Sequence, residues 1–380
     1  MEFAWTEAHD RYRQRVRSFL ERELPADWYE THHKGLASPE QINFSREFCP
    51  KLAEAGLLTP QWPKEYGGEG GEAWEQFILA EEVWTWGEPR GPQYMGVNWI
   101  GPALMKFGTA EQQDTHLKGI ASGKLIWSQG FSEPQAGTDL AAMQTKAEWN
   151  GQGYSINGMK LWTSYSERAD WIFLLARTGP ERKSISVFLV DMKSPGVTVV
   201  PFPGLPEYGH LNEVYFDNVQ VPRSALLGEE HKGWEIMAYT LNYERVGLPR
   251  YHWGRKVLDV AVAQLKEEGR FDDPIVRAQA GKIVAKFEAA RVLTYAVVDE
   301  RIKGITDSVT PNVQRINAAN ACLDTMNFLM DHLPDCIAGG DNFLELFYRG
   351  QVAATIAAGA YEIQLDVIAQ RGLGLPRAGR

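Results

Sequence analysis

The stretch KAEWNGQGYSINGMKLWTSYSERADWIFLLART, residues 146–178, decides the fold class. Its apolar and polar residues alternate, and Asn-Gly pairs stand at 150–151 and 157–158. Such alternation is typical of half-buried strands, and Asn-Gly is a strong signal for a two-residue hairpin turn. The stretch therefore predicts a β-rich segment with two hairpins.

Runs of β-branched and aromatic residues continue to about residue 228, as in SISVFLVDM (184–192) and NEVYFDNVQVP (212–222). On both sides of this segment apolar residues recur at helical spacing, and a capping-box-like start at Thr109 predicts a helix there. We expect an α+β multi-domain protein with an N-terminal helical domain over 1–122, a β domain over 123–230 and a C-terminal helical bundle over 231–380.

Composition excludes several classes of protein. The 380 residues carry a formal net charge of −10, which argues against a nucleic-acid binder. The three cysteines form no CxxC pair, and no histidine cluster has metal-ligand spacing, so we expect no metal site and no disulfide framework. The charged N-terminal stretch lacks the apolar core of a signal peptide, and no apolar run approaches the ~20 residues of a membrane span. A cytoplasmic protein is the expectation.

Several motifs carry more information together than any one carries alone. Taken singly, each has an ordinary explanation as a Gly-Pro loop or a core strand. In combination they resemble the acyl-CoA dehydrogenase family from end to end: WPKEYGGEGG (62–71), EPQAGTDL (133–140), NGMKLWTS (157–164), VYFDNVQVPRSALLGEEHKGW (214–234) and EIQLDVIAQRGLGLPR (362–377).

The resemblance implies a fold, a cofactor and a reaction. The expected fold has N-terminal helices, a middle β-barrel or sandwich and a C-terminal four-helix bundle. The expected reaction is FAD-dependent α,β-dehydrogenation of an acyl-CoA thioester, with electrons passing to an electron-transferring flavoprotein. By resemblance, the residues that line, approach or hydrogen-bond the flavin are Gln129, Phe131, Ser132, Gly137, Thr138, Trp162 and Ser164. From the sequence alone, Trp162 in an alternating strand can equally be a core residue.

The catalytic base is not where many relatives have it. Their Tyr-Glu-Gly-Thr stretch corresponds here to Ala357-Ala-Gly-Ala, so Ala358 occupies the carboxylate position. Glu362 lies about one helical turn further on, and we expect it to be a helix-start residue stabilised by the helix dipole. Ala358 and Gly359 are expected to lie beside substrate and flavin.

Branched-chain and long-chain members place the base on an earlier helix, and the matching residue here is Glu244 in TLNYERVGLPRY (240–251). Pro249 and Gly247 weaken the helix directly after it, a disruption that is often found at functional sites. Arg245 is expected to hold the local geometry or to lie near the CoA tail. Judged without the resemblance, Glu244 can also be an exposed structural residue.

The resemblance weakens where family homotetramers contact FAD from a neighbouring subunit. KEEGRFDDPIVRAQ (266–279) has Arg270-Phe271 and Arg277 but not the family spacing, and DCIAGGDNF (335–343) lacks the family glutamine. This pattern is similar to that of members from bacterial sterol and dicarboxylate catabolism, which pair unlike subunits. We therefore favour an α2β2 hetero-oligomer and keep a homotetramer as the alternative.

Three functions follow. The leading hypothesis is a competent dehydrogenase that uses Glu244, with a bulky, branched or steroid-type acyl group. The second is a non-catalytic or half-site subunit that completes a partner's site. The third is oxidase or monooxygenase chemistry on the same fold, which rapid reoxidation of reduced flavin in air would distinguish.

Overall fold

The structure is a computed structural model that describes residues 5–29, 38–205, 211–245, 249–305, 308–339, 342–357 and 359–376, without the side chains of 242–245, 353 and 354. The α-helices within these ranges are α1 Glu7–Glu23, α2 Pro39–Glu54, α3 Ala73–Thr85, α4 Gln93–Met95, α5 Gly101–Phe107, α6 Ala110–Ala121, α7 Gly233–Arg245, α8 Tyr251–Glu267, α9 Pro274–Ile302, α10 Thr310–His332, α11 Pro334–Ala338, α12 Phe343–Ala354 and α13 Tyr361–Val367. π-helical segments occupy Gly96–Ile100, between α4 and α5, and Ile368–Gly372, after α13.

Eight strands of the described chain form one sheet, in the order β6-β7-β3-β2-β4-β5-β8, with β1 pairing in parallel with β4. Their bounds are β1 Trp127–Gly130, β2 Lys146–Trp149, β3 Gly153–Lys160, β4 Trp171–Arg177, β5 Ile185–Asp191, β6 Val197–Phe202, β7 Leu211–Pro222 and β8 Leu226–Leu227. The helix, sheet, helix order along the chain confirms the predicted α+β class.

One of the two predicted hairpins is confirmed and the other is wrong. Asn150-Gly151 connects β2 to the antiparallel β3. Asn157-Gly158 instead lies inside β3, where the register with β7 shifts between Ile156 and Gly158. Gly158 has φ +144°, and a Cβ there would lie 2.6 Å from the Cα of Thr145. The glycine therefore serves a bulge and a close strand approach, which are the other common uses of glycine in a strand.

The chain divides into two compact units by its internal contacts. The sheet unit comprises residues 36–72 and 89–244, and the helical unit comprises 1–35, 73–88 and 245–380. Inward-facing side chains of alternate strand positions, among them Ile156, Phe188 and Val214, form the core of the sheet. In the helical unit α10 packs against α8, α9, α12 and α13.

The predicted helix start at Thr109 is confirmed. The Thr109 hydroxyl accepts from the Gln112 amide at 3.2 Å, and the Gln112 side chain accepts from the Thr109 amide at 3.0 Å, which completes a capping box at α6. Across the helices that are described here, none combines the length and the hydropathy that crossing a bilayer would require.

Candidate functional site

Residues 131–139 form the loop after β1, and a tight turn shapes its first half. The amide of Glu133 donates to the carbonyl of Ala136, and the reverse bond is also made, both at 3.0 Å. Phe131 is buried, whereas Gly137 and Thr138 are exposed. A Cβ added to Gly137 would meet no atom of the chain within 4 Å, so the backbone faces open space there.

A second segment, residues 161–164, lies beside this loop. The Leu161 amide donates to the Ser132 carbonyl at 2.9 Å and joins the two segments directly. Thr163 is held by Asn212 of β7, whose carbonyl accepts from the Thr163 hydroxyl at 2.7 Å and whose side-chain amide donates to the Thr163 carbonyl at 2.9 Å. The segment is therefore anchored on both sides of Trp162.

Trp162 lies outside the strand, because β3 ends at Lys160. Its side chain is 56% exposed, and its φ of +62° is in the left-handed region that only glycine enters freely. The indole makes an edge-to-face contact with Phe202, with ring centroids 5.3 Å apart. These features exclude the alternative that Trp162 is a core residue, and Ser164 beside it is half-buried.

A buried ion pair supports both segments. The Lys160 ammonium donates to a Glu133 carboxylate oxygen at 2.7 Å and to the Phe131 carbonyl at 3.1 Å. The Glu133 carboxylate also accepts from the amides of Gln144 at 2.5 Å and Thr145 at 3.0 Å. Burial lowers the pKa of Lys160 to about 8, although Glu133 opposes that shift.

Burial by itself would raise the pKa of Glu133. The charge of Lys160, together with the hydrogen bonds that the carboxylate accepts, outweighs burial and leaves this pKa below its usual value. The carboxylate is therefore ionised at neutral pH and holds the loop as an anion.

Gln129 of β1 is half-buried and is oriented by a tryptophan. The Trp99 indole N–H donates to the Gln129 side-chain oxygen at 2.9 Å. Trp99 belongs to the π-helical segment Gly96–Ile100, and such segments are frequent at functional sites. The Trp99 side chain is buried, with 2% exposed, so it packs in the core and also makes this polar contact with Gln129.

The predicted base lies near the end of a described helix. Glu244 and Arg245 are the last two residues of α7, and their side chains lie outside the described residues, as does all of residues 246–248. The buried residues of this helix are at helical spacing: Gly233, Ile236, Met237 and Thr240. Position 244 follows Thr240 by one turn. The disruption expected from Gly247 and Pro249 falls on residues 246–248 and so lies outside the described residues.

In the helical unit, Ala358 lies outside the described residues, and its two neighbours are described. The Ala357 carbonyl accepts from the Arg315 guanidinium at 2.8 Å, and Gly359 has φ +97°. Glu362 is exposed in the first turn of α13, which confirms its expected place at a helix start.

Lys160, Glu133 and Asn212 were not singled out from the sequence. A signal for Lys160 is present, since it shares the inward parity of Tyr154 and Ile156 in β3. A charged residue at a core position of a strand requires a buried partner. Nothing in the sequence identifies that partner, because Glu133 is 27 residues away.

The geometry fits a planar cofactor with polar edges. Two segments joined by a hydrogen bond between Leu161 and Ser132 carry the relevant groups. The first segment has an open backbone at Gly137 and the hydroxyl of Ser132. The second has the exposed indole of Trp162 and the hydroxyl of Ser164. A flavin requires a flat surface beside its ring together with backbone and hydroxyl groups at its edge.

Comparison with known families matches nearly the whole chain. The acyl-CoA dehydrogenase N-terminal domain matches residues 6–124, the middle domain 128–219 and the C-terminal domain 231–373. The chain is 32% identical to acyl-CoA dehydrogenase IpdE1 of Mycobacterium tuberculosis, over 98% of this chain and 99% of that protein.

Solved structures give the same result. A structure described as the Tcur3481-Tcur3483 steroid ACAD is similar with a TM-score of 0.90 and 30% identity, covering all of both chains. A chain of the ChsE4-ChsE5 complex from Mycobacterium tuberculosis is similar with a TM-score of 0.86 and 28% identity, again over the full length of both.

Proposed function

The chain belongs to the acyl-CoA dehydrogenase family of oxidoreductases, and we propose that it oxidises a bulky acyl-CoA thioester, of the branched or steroid side-chain type, between its α and β carbons. Two observations support this substrate class. The residues at 357–360 are all Ala or Gly, which leaves volume where many relatives carry Tyr and Glu. The chain is also similar to a solved structure that is described as a steroid ACAD.

We propose Glu244 as the base that takes the α-proton. The observation that carries this assignment is the position of residue 244 on α7, one turn after the buried Thr240, together with an alanine at 358. A carboxylate in a dry pocket has a raised pKa and is suited to abstract a proton beside a thioester carbonyl. Arg245 is proposed to hold the local geometry or to lie near the CoA tail.

FAD is the proposed cofactor, and when bound it supplies the acceptor for the hydride that leaves the β-carbon. An electron-transferring flavoprotein is the proposed partner that receives the electrons. Ala358 and Gly359 are proposed to border the substrate, and the residues proposed to hold the flavin are Gln129, Phe131, Ser132, Gly137, Thr138, Trp162 and Ser164.

The proposed contribution of the chain's own groups is proton transfer and orientation. Glu244 receives the α-proton, and preplaced donors near the thioester carbonyl stabilise the charge that develops there. Trp99 holds the side-chain oxygen of Gln129 and so orients its amide group. The acyl group loses one proton and one hydride, and an α,β-unsaturated thioester remains.

We also propose assembly with an unlike subunit of the same family, as a tetramer with two copies of each chain. In the helical unit Arg270 is paired with Glu268 at 2.9 Å, on the turn after α8, and the family spacing that reaches a neighbour's FAD is absent from the sequence. The similarity to a chain of the ChsE4-ChsE5 complex supports a hetero-oligomer. Large apolar side chains that are at least half exposed in the helical unit provide surface for such a partner: Ile275, Ile302, Ile356, Leu373 and Leu375.

A second candidate function is a half-site subunit without catalytic activity of its own. The alanine at 358 favours it, because the usual carboxylate is missing there. Glu244 and the open, anchored loop pair around Gly137 and Trp162 favour the catalytic subunit instead, since a chain without flavin would have no use for that arrangement.

Anaerobic titration with a panel of straight, branched and steroid side-chain acyl-CoAs tests the proposal, with flavin absorbance as the readout. We expect a bulky thioester to bleach the wild-type flavin. Glu244→Gln should bind the same thioester and slow the bleaching about 10²–10⁴-fold, the usual contribution of a general base.

Glu235→Gln is the matched control, because Glu235 is an exposed glutamate on the same helix. It should bleach like the wild type. Equal bleaching by Glu244→Gln would remove Glu244 as the base. Flavin that no thioester reduces, or flavin that appears only after an unlike subunit is added, would support the half-site function.

A further inference from the structure

The Lys160–Glu133 pair is the most deeply buried ion pair that the described chain contains outside the helical unit. The Lys160 side chain has no exposed surface, and that of Glu133 is 4% exposed. Lys160 is the last residue of strand β3, and Glu133 lies in the loop after β1. The pair therefore connects two segments that are 27 residues apart in the chain.

The other hydrogen bonds of the pair go to the backbone. Lys160 reaches the carbonyl of Phe131, and Glu133 receives the amides of Gln144 and Thr145. One residue after Lys160, the Leu161 amide donates to the carbonyl of Ser132. The loop after β1 is thus joined to the end of β3 by a side-chain contact and by an adjacent backbone contact.

Folding alone gives little reason for such a pair. Well-packed apolar residues in place of a buried ion pair are often neutral or stabilising, because desolvating two charges offsets most of their attraction. The pair instead constrains the positions of the groups around it, because an ammonium and a carboxylate have fixed hydrogen-bond requirements that apolar residues lack. Here those requirements determine where the Phe131 carbonyl and the loop amides lie.

We propose that Lys160 and Glu133 are positioning residues of the flavin site, which hold the 131–133 loop in register with 161–164 so that both present one surface to the ring. This rests on the proposed function for the identity of the ligand. The positioning of the two segments does not require flavin. It can therefore be measured in the flavin-free protein through the Leu161–Ser132 hydrogen bond.

The test compares Lys160→Met, Glu133→Gln and the double variant Lys160→Met/Glu133→Gln with the wild type. Three quantities are measured: the midpoint of urea unfolding, the FAD affinity of the flavin-free protein, and hydrogen exchange at the Leu161 amide without flavin. The single variants leave an unpaired buried group and should be destabilised. The double variant has no unpaired charge, so its midpoint should return toward that of the wild type.

The double variant separates positioning from stability. We expect its FAD affinity to stay at least about tenfold weaker and its Leu161 amide to exchange at least about tenfold faster, the scale that loss of one charge-assisted hydrogen bond produces. Recovery of FAD affinity and amide protection together with the midpoint would overturn the proposal and leave the pair a purely structural role. Lys146→Met, an exposed lysine on β2, is the matched control and should change none of the three.

pH gives an independent readout. Burial lowers the pKa of Lys160 to about 8, and Glu133 is the charged group that acts against this shift. As the pH rises through about 8, the Lys160 ammonium loses its proton and the Glu133 carboxylate loses its positive partner, so the wild-type FAD affinity should fall. The double variant has neither group and should show no such fall; an identical fall in both would contradict the proposal.

Failure of the proposed function gives a different result. If the wild-type chain binds no FAD under any condition, the cofactor assignment is wrong, whereas exchange at Leu161 still decides whether the pair positions the two segments. Unchanged exchange in both single variants would overturn the positioning role whatever the ligand is.

Discussion

Glu133 of the sheet unit and Glu81 of the helical unit are both buried glutamates, and their carboxylates are used differently. In the sheet unit Glu133 has one charged partner, Lys160, and its other hydrogen bonds come from loop amides. In the helical unit Glu81 of α3 is 2% exposed and contacts side chains of three other helices: Arg13 at 2.8 Å, Tyr251 at 2.6 Å, His252 at 3.3 Å and Tyr295 at 3.1 Å.

The pKa of each carboxylate lies below its usual value. Burial would raise the pKa of Glu81, but the hydrogen bond and charge of His252, the charge of Arg13 and the hydrogen bond from Tyr251 lower it to about 2. For Lys160, burial outweighs its single carboxylate partner. A network of side chains thus stabilises a helix assembly, whereas a single pair bonded to backbone determines the course of two loops.

The largest expected effect is on the helical network. Glu81→Ala should lower the free energy of unfolding by about 3–5 kcal/mol, because it removes the charged acceptor of the Tyr251 and Tyr295 hydroxyls, and each such hydrogen bond contributes about 1.5–3 kcal/mol. Arg13 keeps its ion pair with Glu82. Urea unfolding measures the change. Glu21→Ala, an exposed glutamate on α1, is the control and should unfold close to the wild type. A similar small change for both variants would mean that the network contributes little to stability.

The pH dependence of Glu81 is the next effect in size. The folded pKa of about 2 lies below the usual value, so the carboxylate stabilises the fold fully above about pH 4.5, and this stabilisation is lost as the pH falls toward 2. The shift corresponds to about 3 kcal/mol. The difference in unfolding free energy between wild type and Glu81→Gln should shrink over that window. A constant difference from pH 5 to 2.5 would contradict the assignment.

The smallest stability effect is expected at Trp162 of the sheet unit. Trp162→Gly relieves a left-handed backbone that costs about 1–2 kcal/mol and loses an aromatic contact worth about 0.5–1.5 kcal/mol. The unfolding free energy should therefore change by less than about 1 kcal/mol, while FAD affinity falls. Trp149→Ala, a similarly exposed tryptophan on β2, should leave FAD affinity unchanged. A loss of several kcal/mol at Trp162 would show that the indole is part of the core.

Local sequence signals succeeded where the structure they describe is local. The capping box at Thr109 and the turn at Asn150-Gly151 each depend on residues within a few positions, and both are present. Asn157-Gly158 carries the same signal but lies within β3, because strand β7 and the close approach of Thr145 determine its conformation. Neither β7 nor Thr145 can be inferred from the Asn-Gly dipeptide itself, so the local signal predicts the wrong structure there.

The sequence by itself determined the α+β class, the family, the helix that carries Glu244 and the absence of a carboxylate at 358. These features depend on periodicity, on turn chemistry and on residue identity, all of which are properties of neighbouring positions. Tertiary structure alone decided that Lys160 pairs with Glu133, that Trp99 orients Gln129 and that Trp162 stands exposed at a positive φ. Each of these features depends on which segments, distant in the sequence, pack against each other. The geometry of that packing determines which buried hydrogen bonds can form.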